Sequence, residues 1–354
     1  RRLKASLNGA YDYIVCGSGT SGSVVARRLA ENPDVSVLLL EAGGTDDVPS
    51  VTDASIWFTN LGSERDWQFQ AQPNPHLNNR AIPLSMGKVL GGGSSINVMV
   101  WARGHSSDWD HFASESGDPA WNYQSTLATY RRIENWQGTP DALRRGTGGL
   151  VFVQPAPDPN PIAPAMLGAV AELGMPVFDD QNGAMMEGAG GAALVNMCLE
   201  NGRRRSIFRS YVYPLMAQPN LTVLAHTHVL RVLLEGKRAV GVEVIHEGRI
   251  MSFRAREEVV LSLGAINTPK VLMLSGIGDA QQLVRHGIAP LENLPGVGQN
   301  YQDHIMVSGC IWEYEQAHAA RNNAGESTFF WKSDPALDVP DIQTFLAEMP
   351  IASF

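Results

Sequence analysis

Glycines at fixed spacing stand between two apolar runs near the start of the chain, where residue type and spacing indicate a binding site. Gly17, Gly19 and Gly22 form the pattern Gly-x-Gly-x-x-Gly. Between a strand and a helix, the first glycine permits a tight turn, the second lets a pyrophosphate approach the backbone, and the third lets helix and strand pack closely. The phosphate then lies at the helix N-terminus, where free N–H groups favour an anion. The pattern predicts that the chain binds a dinucleotide.

An acidic residue ends the second apolar run. Glu41 directly follows residues 36–40 and lies 19 positions after Gly22. A carboxylate there can accept hydrogen bonds from ribose hydroxyls and repels a 2′-phosphate, which favours NAD or FAD over NADP. A glycine turn in an α/β fold that binds no ligand is the alternative, and the pattern does not separate NAD from FAD.

The elements that position these residues follow a β–α–β order. Residues 11–16 and 36–40 are short apolar runs typical of buried parallel strands, and residues 23–33 between them have helical spacing that ends at Pro33. Four later segments alternate as an antiparallel meander does: 222–224, 229–234, 240–245 and 250–254. Residues 258–263 return to the pattern of a buried strand. We expect an α/β domain with a mostly parallel sheet and an antiparallel meander.

Composition and charge limit the classes to which the protein can belong. The 354 residues are 44% hydrophobic and 18% charged, which is ordinary for a globular chain of about two domains. The formal net charge is −9 without a broad basic stripe, so we expect no nucleic-acid partner. The basic cluster Arg203-Arg204-Arg205 is short and predicts a solvated turn. No apolar run reaches the roughly 18 residues of a membrane span, so no membrane association is expected.

The cysteines argue against a disulfide or zinc framework. Cys16, Cys198 and Cys310 are odd in number and widely spaced. This usage fits a reducing compartment, so a cytoplasmic location is expected.

A second glycine-rich stretch, MGKVLGGGSSINVMVWARG, spans residues 86–104. Glycine costs conformational entropy, and the close approach of backbone to a ligand is one reason for its use. Residues 87–97, continuing through Trp101, Gly104 and Asp110, resemble a signature of the glucose–methanol–choline (GMC) flavoprotein oxidoreductases.

Residues 264–278, GAINTPKVLMLSGIG, resemble a second GMC signature. The pair Asp66-Trp67 and residues 298–304, GQNYQDH, also look like family segments. Together with the first glycine pattern, these motifs follow the order of the family and extend over nearly the whole chain. The sequence is therefore identified as a member of this family.

The resemblance implies an FAD-binding Rossmann-like domain and an α+β substrate domain that is incomplete here. It assigns these residues to FAD: Gly17, Gly19, Thr20, Ser21, Gly22, Glu41, Ala42, Gly87, Gly92, Gly93, Asn97, Val98, Val100 and Val229. Within this set, Thr20 and Ser21 face the pyrophosphate and Glu41 the ribose. Val229 contacts the adenine, whereas Asn97, Val98 and Val100 border the flavin. Some members attach the flavin through a histidine where this chain has Ile96, so FAD is expected to bind without a covalent link.

The expected domains alternate along the chain. Residues 1–148 and 214–305 form the FAD-binding domain, and residues 149–213 and 306–354 form the substrate domain, whose second part is truncated. The chain does not begin with Met and stops without an evident terminating element. We therefore expect it to be the N-terminal part of a longer protein.

The resemblance also implies an activity. It is the oxidation of a primary alcohol to the aldehyde by hydride transfer to flavin N5, with O₂ or a quinone-type acceptor reoxidising the flavin. The choline-dehydrogenase-like branch is the most similar, and an aromatic or heteroaromatic alcohol such as pyridoxine is the expected substrate. Alternatives are a choline-type dehydrogenase, an FAD-containing hydroxynitrile lyase and a non-catalytic flavin-binding fragment. An NAD-dependent dehydrogenase leaves residues 86–104 and 264–278 unexplained, and the oligomeric state stays open.

No catalytic residue is expected in this chain, because the family's base, a His with a His or Asn partner, lies C-terminal to it. His226 and His228 alternate like residues on one strand face, but without a third ligand no metal site is predicted. His304 follows Asp303, and a structural role is expected for it. Most of the tryptophans crowd the first 140 residues and predict core packing rather than an aromatic pocket.

Overall fold

The computed structural model describes residues 7, 9–316 and 318–350. The strands are β1 (Ala10–Cys16), β2 (Val37–Leu40), β3 (Phe69–Gln70), β4 (Pro83–Leu84), β5 (Glu134–Trp136), β6 (Val151–Pro155), β7 (Gly191–Leu194), β8 (Asn196–Met197), β9 (Leu199–Glu200), β10 (Arg203–Arg204), β11 (Leu221–Leu224), β12 (Thr227–Glu235), β13 (Arg238–His246), β14 (Arg249–Leu261), β15 (Ile277–Gly278), β16 (Glu292–Asn293), β17 (Ser327–Trp331) and β18 (Ile342–Phe345). The helices are α1 (Thr20–Ala30), α2 (Pro49–Thr52), α3 (Ser106–Ser116), α4 (Tyr123–Ile133), α5 (Ile162–Glu172), α6 (Ile207–Tyr211), α7 (Gly264–Leu274) and α8 (Ala280–Arg285).

A six-stranded sheet organises the first part of the fold, in the order β11-β2-β1-β14-β13-β12. The pairings from β11 to β14 are parallel, and β14, β13 and β12 form an antiparallel meander. Every residue of β2 is buried, as expected for a strand covered on both faces. The predicted α/β class, with its parallel sheet and meander, is confirmed.

β14 is one continuous strand of 13 residues where the sequence predicted two. Its first half pairs antiparallel with β13, and from Arg254 onward it pairs parallel with β1. The exposed charged residues Arg256 and Glu257 interrupt the apolar pattern, and the pairing with β1 shifts register beside them, but the strand continues through both residues. The meander and the parallel sheet therefore share a strand.

The second part of the fold contains smaller sheets and three of the longer helices. Strands β18, β17 and β7 form one sheet, and β5, β6 and β8 form another. The sequence of residues 108–136 predicts a helical region, and this region divides into α3 and α4 because Gly117 adopts a φ of 66° and ends α3. The sequence also predicts that strands resume from Met306 on, and the first strand described there is β17, which begins at Ser327.

The chain crosses between two compact units. The first comprises the described residues up to Val51, Phe58–Ile96 and Ser206–Ile305, and the second comprises Thr52–Trp57, Asn97–Arg205 and the described residues from Met306 on. The expected domain boundaries at 148, 213 and 305 stay a prediction. Residues after Ile96 join the second unit because its core includes Met99 and because Trp101 N donates to the Asn196 carbonyl at 2.7 Å.

Within the described part of the chain, no helix combines the length and the apolar character that crossing a lipid bilayer requires.

Candidate functional site

The first glycine turn joins β1 to α1, and two of its glycines are required by the fold itself. Gly17 has a φ of 95°, and a Cβ there would lie 2.3 Å from the carbonyl oxygen of Ser262. A Cβ on Gly22 would lie 1.9 Å from the carbonyl oxygen of Gly17. Gly19 differs, because the atom nearest to a Cβ there is Gly92 Cα at 3.9 Å, an ordinary van der Waals contact.

The N-terminus of α1 follows this turn directly. Gly19 is the N-cap residue and makes no side-chain cap, and the first turn contains no acidic residue. Thr20 and Ser21 open the helix, and both are exposed. The N–H groups of a first helical turn have no partner within the helix, and the helix dipole favours negative charge there. This end of α1 can therefore bind an anion such as a pyrophosphate.

Glu41 follows β2 and holds the first glycine turn through its carboxylate. The residue is 5% exposed. Its Oε2 accepts hydrogen bonds from Ser18 N at 3.0 Å and Ser18 Oγ at 2.7 Å, and its Oε1 accepts one from Gly43 N at 2.9 Å. Burial raises the pKa of the Glu41 carboxyl, while these hydrogen bonds act in the opposite direction. The carboxylate thus has partners within the protein, and its contact with a ribose stays a prediction.

The second glycine turn, in residues 86–104, lies against the first. Ser18 Oγ accepts a hydrogen bond from Gly91 N at 3.1 Å. A Cβ on Gly92 would lie 2.8 Å from Gly19 Cα, and one on Gly87 would lie 2.2 Å from the carbonyl oxygen of Gly92. The structure therefore brings together glycines that the sequence separates by about 70 positions.

Two of the predicted glycines have no steric reason, among the described residues, to lack a side chain. A Cβ on Gly93 would meet no atom within 4 Å, and one on Gly19 would make only the ordinary contact with Gly92. We call Gly19, Gly92, Gly93 and the first turn of α1 the glycine cradle. Its open backbone and helix N-terminus fit the diphosphate of FAD.

The end of β2 and the start of β12 lie side by side. Thr227 N donates to the Glu41 carbonyl at 2.7 Å, and His226 N donates to the Gly43 carbonyl at 3.0 Å. Val229, two residues further along β12, is 6% exposed and packs in the core of the sheet. Ala42, between Glu41 and Gly43, is half-buried. The assignment of Ala42 and Val229 to the cofactor stays a prediction.

The remaining predicted cofactor residues belong to the second unit. Asn97 Oδ1 accepts a hydrogen bond from Met99 N at 3.0 Å, and the Val98 carbonyl accepts one from Asn323 Nδ2 at 2.6 Å. Val100 forms a β-bridge within the same unit. This segment has a defined conformation, and its position beside a flavin stays a prediction.

Sequence reasoning missed Ser18 and Arg204. Ser18 is fully buried and links Glu41 to the second glycine turn, but nothing in its residue type distinguished it within the glycine pattern. The solvated turn expected for Arg203-Arg204-Arg205 is wrong for Arg204, which is 5% exposed. Strand alternation was the available signal, because β10 directs alternate residues to opposite faces.

The histidines singled out in the sequence do not form a metal site. His226 precedes β12 with a φ of 52°, so it does not continue the strand alternation of His228. His228 packs edge-on against Trp67, and burial lowers the pKa of its imidazole. The side chain of His304 is 98% exposed, at 4.0 Å from Asp303. Over residues 7, 9–316 and 318–350, no three His, Cys, Asp or Glu side chains are grouped to hold a metal ion.

Comparison with known proteins agrees with the motifs. The sequence profile of the GMC oxidoreductase family matches residues 11–306. The chain is 38% identical over 356 aligned positions to an oxygen-dependent choline dehydrogenase of Brucella anthropi, covering 94% of this chain and 64% of that protein. The chain therefore spans about two thirds of the length of this relative.

Solved structures give the same result at the level of the fold. Pyridoxine 4-oxidase from Mesorbium loti superposes with a TM-score of 0.91 at 29% identity, over 96% of this chain and 67% of that one. A fungal aryl-alcohol oxidase superposes with a TM-score of 0.72 at 26% identity, over 82% of this chain and 52% of that one.

Proposed function

Because the chain belongs to the GMC oxidoreductase family, whose members bind FAD, we propose that the whole protein holds FAD without a covalent link and oxidises a primary alcohol to the aldehyde. When bound, FAD supplies the ring that accepts a hydride from the alcohol carbon. Oxygen or a quinone-type acceptor then takes up the electrons. In this proposal the first unit is the FAD-binding domain and the second unit is the substrate domain.

The observation that carries the proposal is the glycine cradle. Gly19 and Gly93 have room for a side chain and yet lack one, beside a helix N-terminus that favours an anion. Glu41 lies at the end of the neighbouring strand, where a carboxylate suits a ribose. The resemblance to the family assigns Asn97, Val98 and Val100 to the border of the ring. Ile96 has no nucleophilic atom, so it cannot link to the flavin.

The proposed substrate is an aromatic or heteroaromatic primary alcohol of the pyridoxine type. The superposition with pyridoxine 4-oxidase supports this choice because it covers almost the whole chain. Choline is the second candidate, since the choline dehydrogenase of Brucella anthropi shares the higher sequence identity. The two differ in charge and shape, and a direct comparison of substrates separates them.

The test is a visible spectrum of the full-length protein, taken before and after denaturation and filtration. We expect a flavin band that passes into the filtrate, whereas a band retained with the polypeptide would contradict non-covalent binding. The native protein is then mixed without oxygen with pyridoxine, benzyl alcohol or choline. Bleaching of the flavin by an alcohol supports the oxidoreductase, and the fastest alcohol identifies the substrate class. A flavin that no alcohol bleaches, with cleavage of a cyanohydrin, would instead identify a hydroxynitrile lyase.

A further inference from the structure

Arg204 is a buried cation between two exposed arginines. It is 5% exposed, whereas Arg203 and Arg205 are exposed. In the pairing of β10 with β9, Arg204 lies opposite Leu199, which is fully buried. Loss of hydration lowers the pKa of Arg204 to about 10, so its guanidinium stays charged at neutral pH. Because burying a charge costs free energy, we expect a buried arginine to make an interaction that offsets this cost.

The guanidinium of Arg204 fixes the orientation of the Asn97 amide. Arg204 Nη1 donates to Asn97 Oδ1 at 2.7 Å, and Met99 N donates to the same oxygen at 3.0 Å. Because both donors require an acceptor, Oδ1 and Nδ2 cannot exchange places. Asn97 itself is exposed, so its Nδ2 group is the end that can donate to a ligand.

The backbone next to Asn97 is fixed as well. The Val98 carbonyl accepts from Asn323 Nδ2 at 2.6 Å, and the Met99 carbonyl accepts from Cys198 N at 2.9 Å. Asn323 is 1% exposed. The Asn97 amide is therefore held by a buried cation on a segment that its neighbours hold in place.

We propose that Arg204 is a positioning residue for the flavin ring, holding the Asn97 amide as a donor toward the ring and placing a buried positive charge behind it. The inference rests on the proposed function, in which Asn97 borders the flavin. A flavin gains negative charge on reduction, and a nearby cation in a region of low dielectric constant stabilises that charge. Arg204 therefore raises the midpoint potential of the bound flavin.

The test uses the full-length flavoprotein and the variants Arg204→Gln, Arg204→Lys and Asn97→Ala. Arg205→Gln is the matched control, because Arg205 is the exposed neighbour and pairs with Glu200 at the surface. Flavin content, the visible spectrum and the midpoint potential are measured in an anaerobic dye-coupled titration. We expect a more negative potential and a shifted spectrum in Arg204→Gln, a smaller change in Arg204→Lys, and wild-type values in Arg205→Gln.

The double variant of Arg204→Gln and Asn97→Ala separates positioning from stability. Because Arg204 acts in part through the Asn97 amide, the potential of the double variant should shift by less than the sum of the single shifts. Additive shifts, or a wild-type potential in flavin-loaded Arg204→Gln, would overturn the inference. Loss of flavin from both Arg204 variants, with a wild-type potential in Asn97→Ala, would assign Arg204 a structural role and also overturn it. A wild-type protein without flavin would overturn the proposed function, and this inference with it.

Discussion

A Cβ atom on Gly92 would lie 2.8 Å from the Cα of Gly19, so the two glycine-rich turns of this protein lie against each other. A hydrogen bond from Gly91 N to Ser18 Oγ also joins the two turns. Ser18 is in turn held by Glu41, the residue predicted to contact the ribose. Contacts within the protein alone therefore hold both glycine motifs and Glu41 together.

The glycine cradle predicts that Gly93→Ala separates ligand binding from folding. A Cβ on Gly93 would meet no described atom within 4 Å, so the free energy of unfolding should change by less than about 0.5 kcal/mol. FAD should bind about tenfold or more weakly, because the added methyl group takes up space at the cofactor. Chemical denaturation of the FAD-free protein and titration with FAD measure the two effects.

Two matched glycines control this experiment. Gly148 is equally open but lies outside the cradle, so Gly148→Ala should change neither quantity. Gly22→Ala should destabilise the fold itself, because its Cβ would lie 1.9 Å from the carbonyl oxygen of Gly17. Wild-type FAD affinity in Gly93→Ala would remove Gly93 from the site.

Glu41→Ala is expected to weaken both FAD binding and the fold. The lost ribose contact should reduce the binding free energy by about 1–3 kcal/mol. In addition, Ser18 N, Ser18 Oγ and Gly43 N lose their acceptor, and burial without a partner costs about 1–3 kcal/mol for each group that water cannot reach.

The two effects of Glu41→Ala are distinguished by measuring unfolding without FAD. Ser18→Ala is the matched variant, because it removes the hydroxyl contact and leaves the carboxylate in place. It should lower the unfolding free energy of the FAD-free protein and affect FAD less than Glu41→Ala does. Equal FAD affinity in wild type and Glu41→Ala would show that Glu41 only holds the turn.

The parallel strands, α1 and the glycine motifs were predictable because local patterns determine them. β2 is apolar at every position, Gly17 adopts a φ of 95° in the turn after β1, and Gly22 is required by its contact with Gly17 within the β–α–β unit itself. The continuity of β14 was not predictable, since exposed charges divide its apolar pattern. The change of unit at Ile96 depends on pairing with residues about 100 positions away, which no local pattern records.

The residues of the candidate site also divide into those that local patterns predict and those that they do not. The glycines and Glu41 were found from spacing and residue type. Ser18 and Arg204 were not, because their roles arise from burial and from contacts with distant segments. A buried arginine in a basic tripeptide looks like a surface residue until its strand partner is known.

Removal of the Glu134 carboxylate should strongly destabilise the second unit. Glu134 is fully buried and accepts hydrogen bonds from Arg103, Arg145 and the Trp101 indole. Glu134→Ala leaves two buried guanidinium groups without this partner, and breaking a buried ion pair costs about 3–5 kcal/mol. Urea unfolding followed by tryptophan fluorescence measures the change.

An exposed ion pair supplies the comparison for Glu134. Glu235 and Arg254 form a salt bridge with side chains that are 63% and 58% exposed, so Glu235→Ala should change stability little. A loss in Glu134→Ala no greater than that in Glu235→Ala would show that the buried cluster contributes no net stability.

The free energy of unfolding should fall as the pH rises from about 4.5 to about 7, because the Glu348 carboxyl loses its proton over this range. Burial and the neighbouring Glu326 carboxylate raise the pKa of Glu348 from 4.5 to about 7. The protonated form is therefore favoured in the native state, so its contribution is complete below pH 4.5 and is lost as the pH passes the native pKa. Arg321 N and Asn160 Nδ2 donate to Glu348 Oε2 and oppose this shift in part. Because the side chain is partly exposed, we expect a loss of only about 1–2 kcal/mol.

Glu348→Gln tests this pH dependence, because glutamine stays uncharged across the whole range. The variant should lose less stability than the wild type between pH 4.5 and pH 7.5 in urea denaturation at matched ionic strength. Glu172→Gln removes an exposed carboxylate from α5 and should keep the wild-type slope. Parallel pH profiles for wild type and Glu348→Gln would mean that the carboxyl of Glu348 titrates alike in the folded and unfolded chains. A steeper fall in the variant would mean that native contacts with Arg321 and Asn160 favour the charged form over the repulsion from Glu326.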